Sequence, residues 1–296
     1  PRVRYRPERA LTPRLYVVLG LLVMVAPLST SLYSPGLPSL ADSLDVSTSG
    51  AQWTISAAVF GLALGQLILG SLSDRFGRRL PVLIGISVFV VATVLCAIAP
   101  TLPFLIVVRF IQGFSGAAGA VIARATIRDL TSGGSAAQAL SRLLMVVGVA
   151  PIIGPVLGGQ VLRLTDWRGL FVALAIASAF SLIVAVLWFP ETLAPSKRLS
   201  GHGRESQWAV MGRLLCDRQI VGFMGIIALM GVVTFSWMAS GPFYFEAEHG
   251  MSMTVFSTIV GVASIGFVAG ALVNSRLVMT IGPHAALLRG LLLMSA

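Results

Sequence analysis

The sequence predicts an all-α polytopic membrane protein, a bundle of apolar helices that cross a bilayer. Hydrophobic residues fill 56% of the 296 positions and charged residues only 11%, while mean hydropathy is +0.91. A soluble domain carries about 25% charged residues, so this chain lacks the polar side chains to cover a water-facing surface. The apolar residues also arrive in blocks of about the length a bilayer core requires, roughly 20 residues per helix.

Eight such blocks follow one another at about 15–37, 51–72, 81–99, 103–123, 138–162, 169–189, 219–241 and 254–273, and a ninth begins near 284. Between them lie short interruptions of Gly, Pro and charge, as turns require. The basic N-terminal residues lead into the first block without a small-residue cleavage site, so that block reads as a retained helix. Placing the N-terminus in the cytoplasm puts 18 of the 21 Lys and Arg residues on the cytoplasmic side. Arg163 and Arg168 then fall outside with Asp42, Asp45, Asp166, Glu246 and Glu248. That asymmetry is the positive-inside signal, and it orients the chain in a cytoplasmic (inner) membrane. The chain starts at Pro1 and stops within the apolar run LLRGLLLMSA, so both ends read as cut.

The longest polar stretch, 190–218, reads as a cytoplasmic linker between residues 1–189, an N-terminal six-helix bundle, and residues 219–296, a partial second bundle. A weak repeat agrees with two halves. Gly61, Gly65 and Gly77 recur as Gly266, Gly270 and Gly282, and Ser47 and Gly36 as Ser252 and Gly241, all at an offset of 205. Such spacing makes the second and eighth helices equivalent in a parallel repeat.

Several chemistries are excluded. Three histidines without a Cys/His cluster leave no metal signature. Cys96 and Cys216 fall at opposite membrane faces, too far apart for a disulfide. No nucleophile–base pair and no phosphate-binding loop ending in Lys-Ser/Thr is present, so the chain reads as neither an enzyme nor an ATP-driven pump, with no cofactor and no catalytic residue. The net charge of +10 lies in inter-helix loops and follows from topology; nucleic acid is not implied.

Three segments are left as candidates. Arg109 is the basic residue set well inside a span, where a charge costs a few kcal/mol. With Gln112, Gly113 and Gly116 it follows i, i+3, i+4, i+7 and shares one small, polar helical face. It reads either as a tie between helices or as a cation lining a substrate or proton pathway. Tyr33, Gln52, Phe60, Gln66, Phe235 and Tyr244 read either as cavity lining or as plain packing. In the fifth span, GVAPIIGPVLGG (148–159) sets Ala150, Gly154 and Gly158 four apart, with Pro151 and Pro155 between them and Gly148 and Gly159 at its ends. Small residues let helices approach closely and prolines bend them, which serves tight packing or control of leak between conformations. The segment 70–83, GSLSDRFGRRLPVL, concentrates Gly70, Asp74, Arg75, Gly77, Arg78 and Arg79 in one turn. It reads as a solvent-facing loop or as a conformational latch in which Asp129 reaches Arg78. We expect that pair to be exposed and worth about 0–1 kcal/mol, weak enough to open in each cycle.

GSLSDRFGRR (70–79) and LIVVRFIQGFSGAAGA (105–120) resemble signatures of the major facilitator superfamily. GVAPIIGPVLGG resembles the antiporter signature of its drug–proton antiporter branch, which includes bicyclomycin and chloramphenicol exporters. PLSTSLYSPGLP (27–38), Arg128–Asp129, DWRGLF (166–171), FPETL (189–193) and SGPFYFEAEHGMS (240–252) resemble that branch too. The resemblance implies a twelve-helix fold of which this chain holds the first half and two to three further helices. It also implies export of small apolar or amphipathic drug-like compounds across the membrane with energy from proton entry; the expected partners are that substrate, protons and the lipid bilayer, and the expected state is a monomer. In this branch an acid usually stands where this chain has Ser31, and serine does not carry a proton at physiological pH.

Two other readings differ in kind. One is a metabolite or sugar-like facilitator on the same fold, since fold does not fix substrate. The other is a truncated remnant, and for residues 1–296 alone insertion without transport is expected.

Overall fold

A computed structural model describes residues 12–194, 196, 198, 207–252 and 255–263, with a few single residues beyond. Among the described residues there are helices and no strands. The chain runs through α1 (Pro13–Ser31), a 3-10 turn (Ser34–Gly36), α2 (Leu37–Leu44), α3 (Thr48–Phe76), α4 (Arg79–Ala97) and α5 (Leu102–Leu130). It continues through α6 (Gly133–Leu162), α7 (Trp167–Trp188), α8 (Gln207–Cys216) and α9 (Arg218–His249). Seven segments are long and apolar enough to cross a membrane, the first being α1 continued through α2. They match the first seven predicted spans; the eighth is described only in part, chiefly at 255–263, and the ninth lies mostly outside the described residues.

Local sequence sets the helix starts. The Thr12 hydroxyl accepts the Leu15 N–H, Ser47 accepts that of Gly50, and the Asp166 carboxylate accepts that of Arg168. Each satisfies an N–H that the first turn leaves unpaired. Pro35 has no N–H for the Ser31 carbonyl and breaks the predicted first span, so α1 stops at Ser31 and the chain passes through the 3-10 turn before α2, which carries Pro38 in its first turn. Elsewhere helices outrun the predicted blocks: α3, α5 and α6 extend to Phe76, Leu130 and back to Gly133. Hydropathy marks the bilayer core, whereas backbone hydrogen bonding carries a helix on into polar sequence. The predicted linker 190–218 likewise contains α8.

Glycines set the spacing of the six helices α1 and α3–α7. The most extensive contact joins α3 and α5. A Cβ on Gly61 or Gly65 would overlap the backbone of Phe110 or Phe114, and one on Gly113 would overlap the Ala58 carbonyl. The backbones therefore touch. A Cβ on Gly119 would meet the Leu22 carbonyl in the same way, bringing α5 against α1. Gly154 and Gly158 of α6 seat against Ser31 and Leu32 at the end of α1, and Ala150 is buried on the same stripe. Gly148 faces open space and Pro151 is exposed, so only part of the predicted motif is a packing surface. Gly266 and Gly270 also face open space, and Gly282 lies outside the described residues.

At the end of the bundle where α3, α5 and α7 begin, Trp167 Nε1 and Arg168 donate to the Ser43 hydroxyl at 3.1 and 3.3 Å. Arg168 also donates to the Ala99 carbonyl. The DWRGLF run thus stitches the α7 start to α2 and to the α4–α5 turn. Helix α9 stands beside this bundle and meets it near the same end. Pro242 has no N–H for the Met238 carbonyl one turn back, and the Ser34 hydroxyl donates to that carbonyl at 2.6 Å. Gln52 donates to the neighbouring Ala239 carbonyl at 3.2 Å.

Candidate functional site: a buried arginine and a charged hairpin

Arg109 lies on α5 about two turns from its start, a depth of roughly 10 Å at 1.5 Å per residue. It is completely buried, as is Gln112. Arg109 Nη1 donates to Gln112 Oε1 at 2.6 Å, Gln112 Nε2 donates to Thr93 Oγ1 at 2.7 Å, and Thr93 donates to the Phe89 carbonyl at 2.7 Å. The chain has one polarity, with every donor pointing away from the arginine. Arg109 Nε donates to the Thr54 carbonyl at 3.3 Å. The guanidinium carbon sits 4.6 Å from the Tyr33 ring centre and 5.6 Å from that of Phe171, in the range of cation–π contact. Tyr33 is held in turn through Thr54: the Thr54 hydroxyl donates to the Ala51 carbonyl, so Tyr33 Oη donates to Thr54 Oγ1 at 2.8 Å. Every group touching the cation is neutral. Arg109 Nη2 is buried and has no hydrogen-bond partner among the described residues.

The predicted grouping around Arg109 is therefore partly realised. Gln112 and Tyr33 touch it, and Gly113 and Gly116 are buried on the same face. Ser31 is buried nearby in sequence but packs against Gly154 of α6. Gln66 is exposed on α3, roughly 18 Å along the helix from Thr54 at 1.5 Å per residue, and takes no part. Phe60 and Tyr244 are exposed as well. Sequence reasoning did not single out Thr54, Thr93 or Phe171. Their role depends on which helices become neighbours, although Phe171 ends the quoted DWRGLF run. An open apolar groove of about 330 Å³, lined by Leu69, Phe76, Ile84 and Phe114, lies on the outside of α3–α5 and does not include Arg109.

The hairpin at the opposite end is organised around Arg78. Arg78 Nε and Nη2 donate to the two Asp129 carboxylate oxygens at 2.8 and 3.3 Å, and Nη1 donates to Asp74 at 2.5 Å and to the Ser73 hydroxyl at 2.8 Å. The pair expected to be exposed is largely buried: Arg78 retains 5% of its accessible surface. Burial pulls the Arg78 guanidinium pKa down, but hydrogen bonds and charge from Asp129 and Asp74 more than offset it and hold the pKa above its ordinary value. A two-pronged guanidinium–carboxylate bond is stronger than the surface pair the sequence suggests.

Glu191, in the FPETL run, completes this cluster, and the sequence reading does not place it there. Its carboxylate accepts the backbone N–H groups of Arg78 at 2.9 Å, Arg79 at 3.3 Å and Leu193 at 3.0 Å. It thereby caps α4, which has no side-chain cap of its own, and places an anion where the helix dipole favours one. Burial pushes the Glu191 carboxyl up, but these three N–H bonds and the Arg198 charge hold it below its ordinary value. Gly77 makes the approach possible. Its φ is +92°, and a Cβ there would overlap the Glu191 carboxylate. Arg79 anchors the turn to the Val186 carbonyl at 2.9 Å. Arg75 is exposed and lies against Phe76, outside the network, and Gly70 packs near Val121 on α5.

A family model for the Major Facilitator Superfamily matches residues 19–296. The chain belongs to the major facilitator superfamily. It is 34% identical over 262 residues to the uncharacterized MFS-type transporter YdgK of Bacillus subtilis (strain 168), covering 88% of this chain and 65% of that protein. It is 25% identical over 279 residues to a bicyclomycin resistance protein homolog of Haemophilus influenzae, covering 92% and 68%. Identity to the multidrug resistance protein MdtL of Escherichia coli is 28% over 215 residues, covering 73% and 55%. The chain thus spans between about half and two thirds of these relatives' length. Among solved structures, a D-xylose-proton symporter superposes with a TM-score of 0.67 at 17% identity, covering 90% of this chain and 68% of that one. The nucleoside transporter NupG, as a D323A mutant, gives 0.70 at 13%, covering 91% and 69%. These structures share the facilitator fold. The chain is therefore a multi-pass transporter-family protein, with multidrug-resistance proteins among its relatives.

Proposed function

We propose that this chain is the larger part of a secondary transporter that exports small amphipathic compounds across the cytoplasmic membrane in exchange for protons. Its N-terminus and the Arg78 hairpin face the cytoplasm, and it works as a monomer of two bundles joined by 190–218. The observation that carries the reading is the Arg109 assembly, a fully buried cation held by Gln112 of its own helix, the Thr54 carbonyl of α3 and the rings of Tyr33 and Phe171, with no charged group beside it among the described residues. Structure alone has cheaper ways to join helices, because burying a charge in a membrane is expensive. Kinship with bicyclomycin- and multidrug-resistance proteins supports the export direction and the substrate type. In this reading the Arg78 hairpin is the latch, closing the cytoplasmic end around α4 and α5, and the Gly154–Gly158 stripe fixes α6 to the moving tip of α1. No carboxylate stands within the middle of a described span; Asp74 and Asp129 lie at the ends of α3 and α5.

The test is expression of the full reading frame in an efflux-deficient host. Reduced drug susceptibility and dye efflux that a protonophore abolishes support the proposal. Unchanged susceptibility with no gradient-dependent efflux contradicts it.

A further inference from the structure

The buried surroundings of Arg109 have a charge sign, and that sign selects among amphipathic compounds. Resting on the transport reading above, we propose that the substrate is an amphipathic anion, an apolar body with one carboxylate or sulfonate group that binds Arg109 Nη2. Three observations meet here. The guanidinium is completely buried, and its contacts (the Thr54 carbonyl, Gln112 Oε1 and two aromatic rings) are all neutral. One of its nitrogens, Nη2, has no acceptor among the described residues, and a buried donor left unpaired is costly. The described acids of the six-helix bundle stand at its two ends, Asp42, Asp45 and Asp166 at one and Asp74, Asp129 and Glu191 at the other, with no counter-charge beside the arginine.

Access follows from the chain break that holds Tyr33. Its ring covers the guanidinium from the start of the 3-10 turn between α1 and α2, and its neighbour Ser34 is the residue bonded to the Met238 carbonyl of α9. Parting of α9 from Ser34 removes one tie of the turn, α6 and Thr54 holding the others, and release of Tyr33 from Thr54 then uncovers Nη2. The anion then replaces the ring as the partner of the cation, while Phe171 and the apolar wall accept the rest of the molecule. A cation entering the same place meets an uncompensated like charge. Both ions lose hydration on entering, so the sign of the charge decides between them: at about 4 Å and an effective dielectric of about 20 the Coulomb difference between anion and cation exceeds a hundredfold.

Three naphthalenes of similar size separate the possibilities: naphthalene-2-sulfonate, naphthalene-2-sulfonamide and 2-naphthyltrimethylammonium. Binding to the purified protein in nanodiscs is read by ligand-induced thermal stabilisation. We expect the sulfonate to bind at least about a hundredfold more tightly than the ammonium compound, Arg109→Gln to erase that preference, and Arg109→Lys to keep part of it. Equal or tighter binding of the ammonium compound, binding of none of the three, or a preference unchanged in Arg109→Gln overturns the proposal. The wild-type ranking stands even if a variant fails to fold. Gradient-driven efflux of the ammonium compound alone, with no sulfonate binding, upholds export and sinks the anion site. Sulfonate binding without gradient-driven efflux of any compound sinks export alone.

Discussion

At Arg78 a single side chain gathers Asp74, Asp129 and Ser73 while its own backbone N–H is held by Glu191. Asp129→Asn keeps the shape but removes the charge that matches two prongs of the guanidinium. It should lower stability by about 1.5–3 kcal/mol, the range for hydrogen bonds to charged groups, as read by thermal unfolding in detergent. Combining Asp129→Arg with Arg78→Asp should rescue poorly, because the exchange sets a second carboxylate against Asp74 and leaves that acid without its partner. Gly77→Ala combines a left-handed backbone position with overlap on Glu191 and should cost about 1–3 kcal/mol. The depressed Glu191 pKa fixes the sign of a pH effect. The folded protein binds that proton less readily than the unfolded chain, so the contribution is present above the ordinary carboxylate value and lost as pH falls through the folded one. The stability gap between wild type and Glu191→Gln should therefore be full at pH 7 and close on acidification below about 4.5; a gap independent of pH contradicts the capping role. Arg109 is legible in the sequence because a charge in an apolar block needs an explanation. Glu191 is not, since 113 residues separate it from the backbone it caps and only the FPETL resemblance marks its neighbourhood.

Helices are legible as blocks, and their ends are not. Hydropathy marks the part of a helix in lipid, so it locates α3 and α5 but stops short of their extensions toward Asp74 and Asp129. Those extensions are what bring the two carboxylates to Arg78. The small-residue stripes are legible as close-packing surfaces, yet their partners require the fold: Gly113 against Ala58, Gly154 against Ser31. Gly113→Leu should therefore drive α3 from α5 and abolish insertion of a folded protein, seen as loss of the monodisperse peak in detergent chromatography. Pro242→Ala is a gentler change. It restores an N–H for the Met238 carbonyl, which then no longer needs Ser34. Double cysteine substitution at Gln52 and Ser240, whose side chains meet across the same contact at 3.4 Å, leaves Ser34 in place and should cross-link readily in the parent and less in the Pro242→Ala background; equal cross-linking shows that the proline does not set this contact.

For the whole molecule, the helix bundle and its kinship are legible from signatures spread along the chain, while the export direction proposed above rests on the resistance proteins among its relatives and the proposed cargo on Arg109. Sidedness has a direct readout in Cys216, which is exposed, against Cys96, which is buried. A membrane-impermeant maleimide should label Cys216 in inside-out vesicles and spare it in right-side-out ones. The role of the buried arginine is decided by comparing gradient-driven efflux of wild type and Arg109→Ala, expressed from the full reading frame at equal membrane levels in an efflux-deficient host. Wild type should show protonophore-sensitive efflux and Arg109→Ala none. Undiminished efflux by Arg109→Ala would contradict the transport role and reduce the buried arginine to a packing residue.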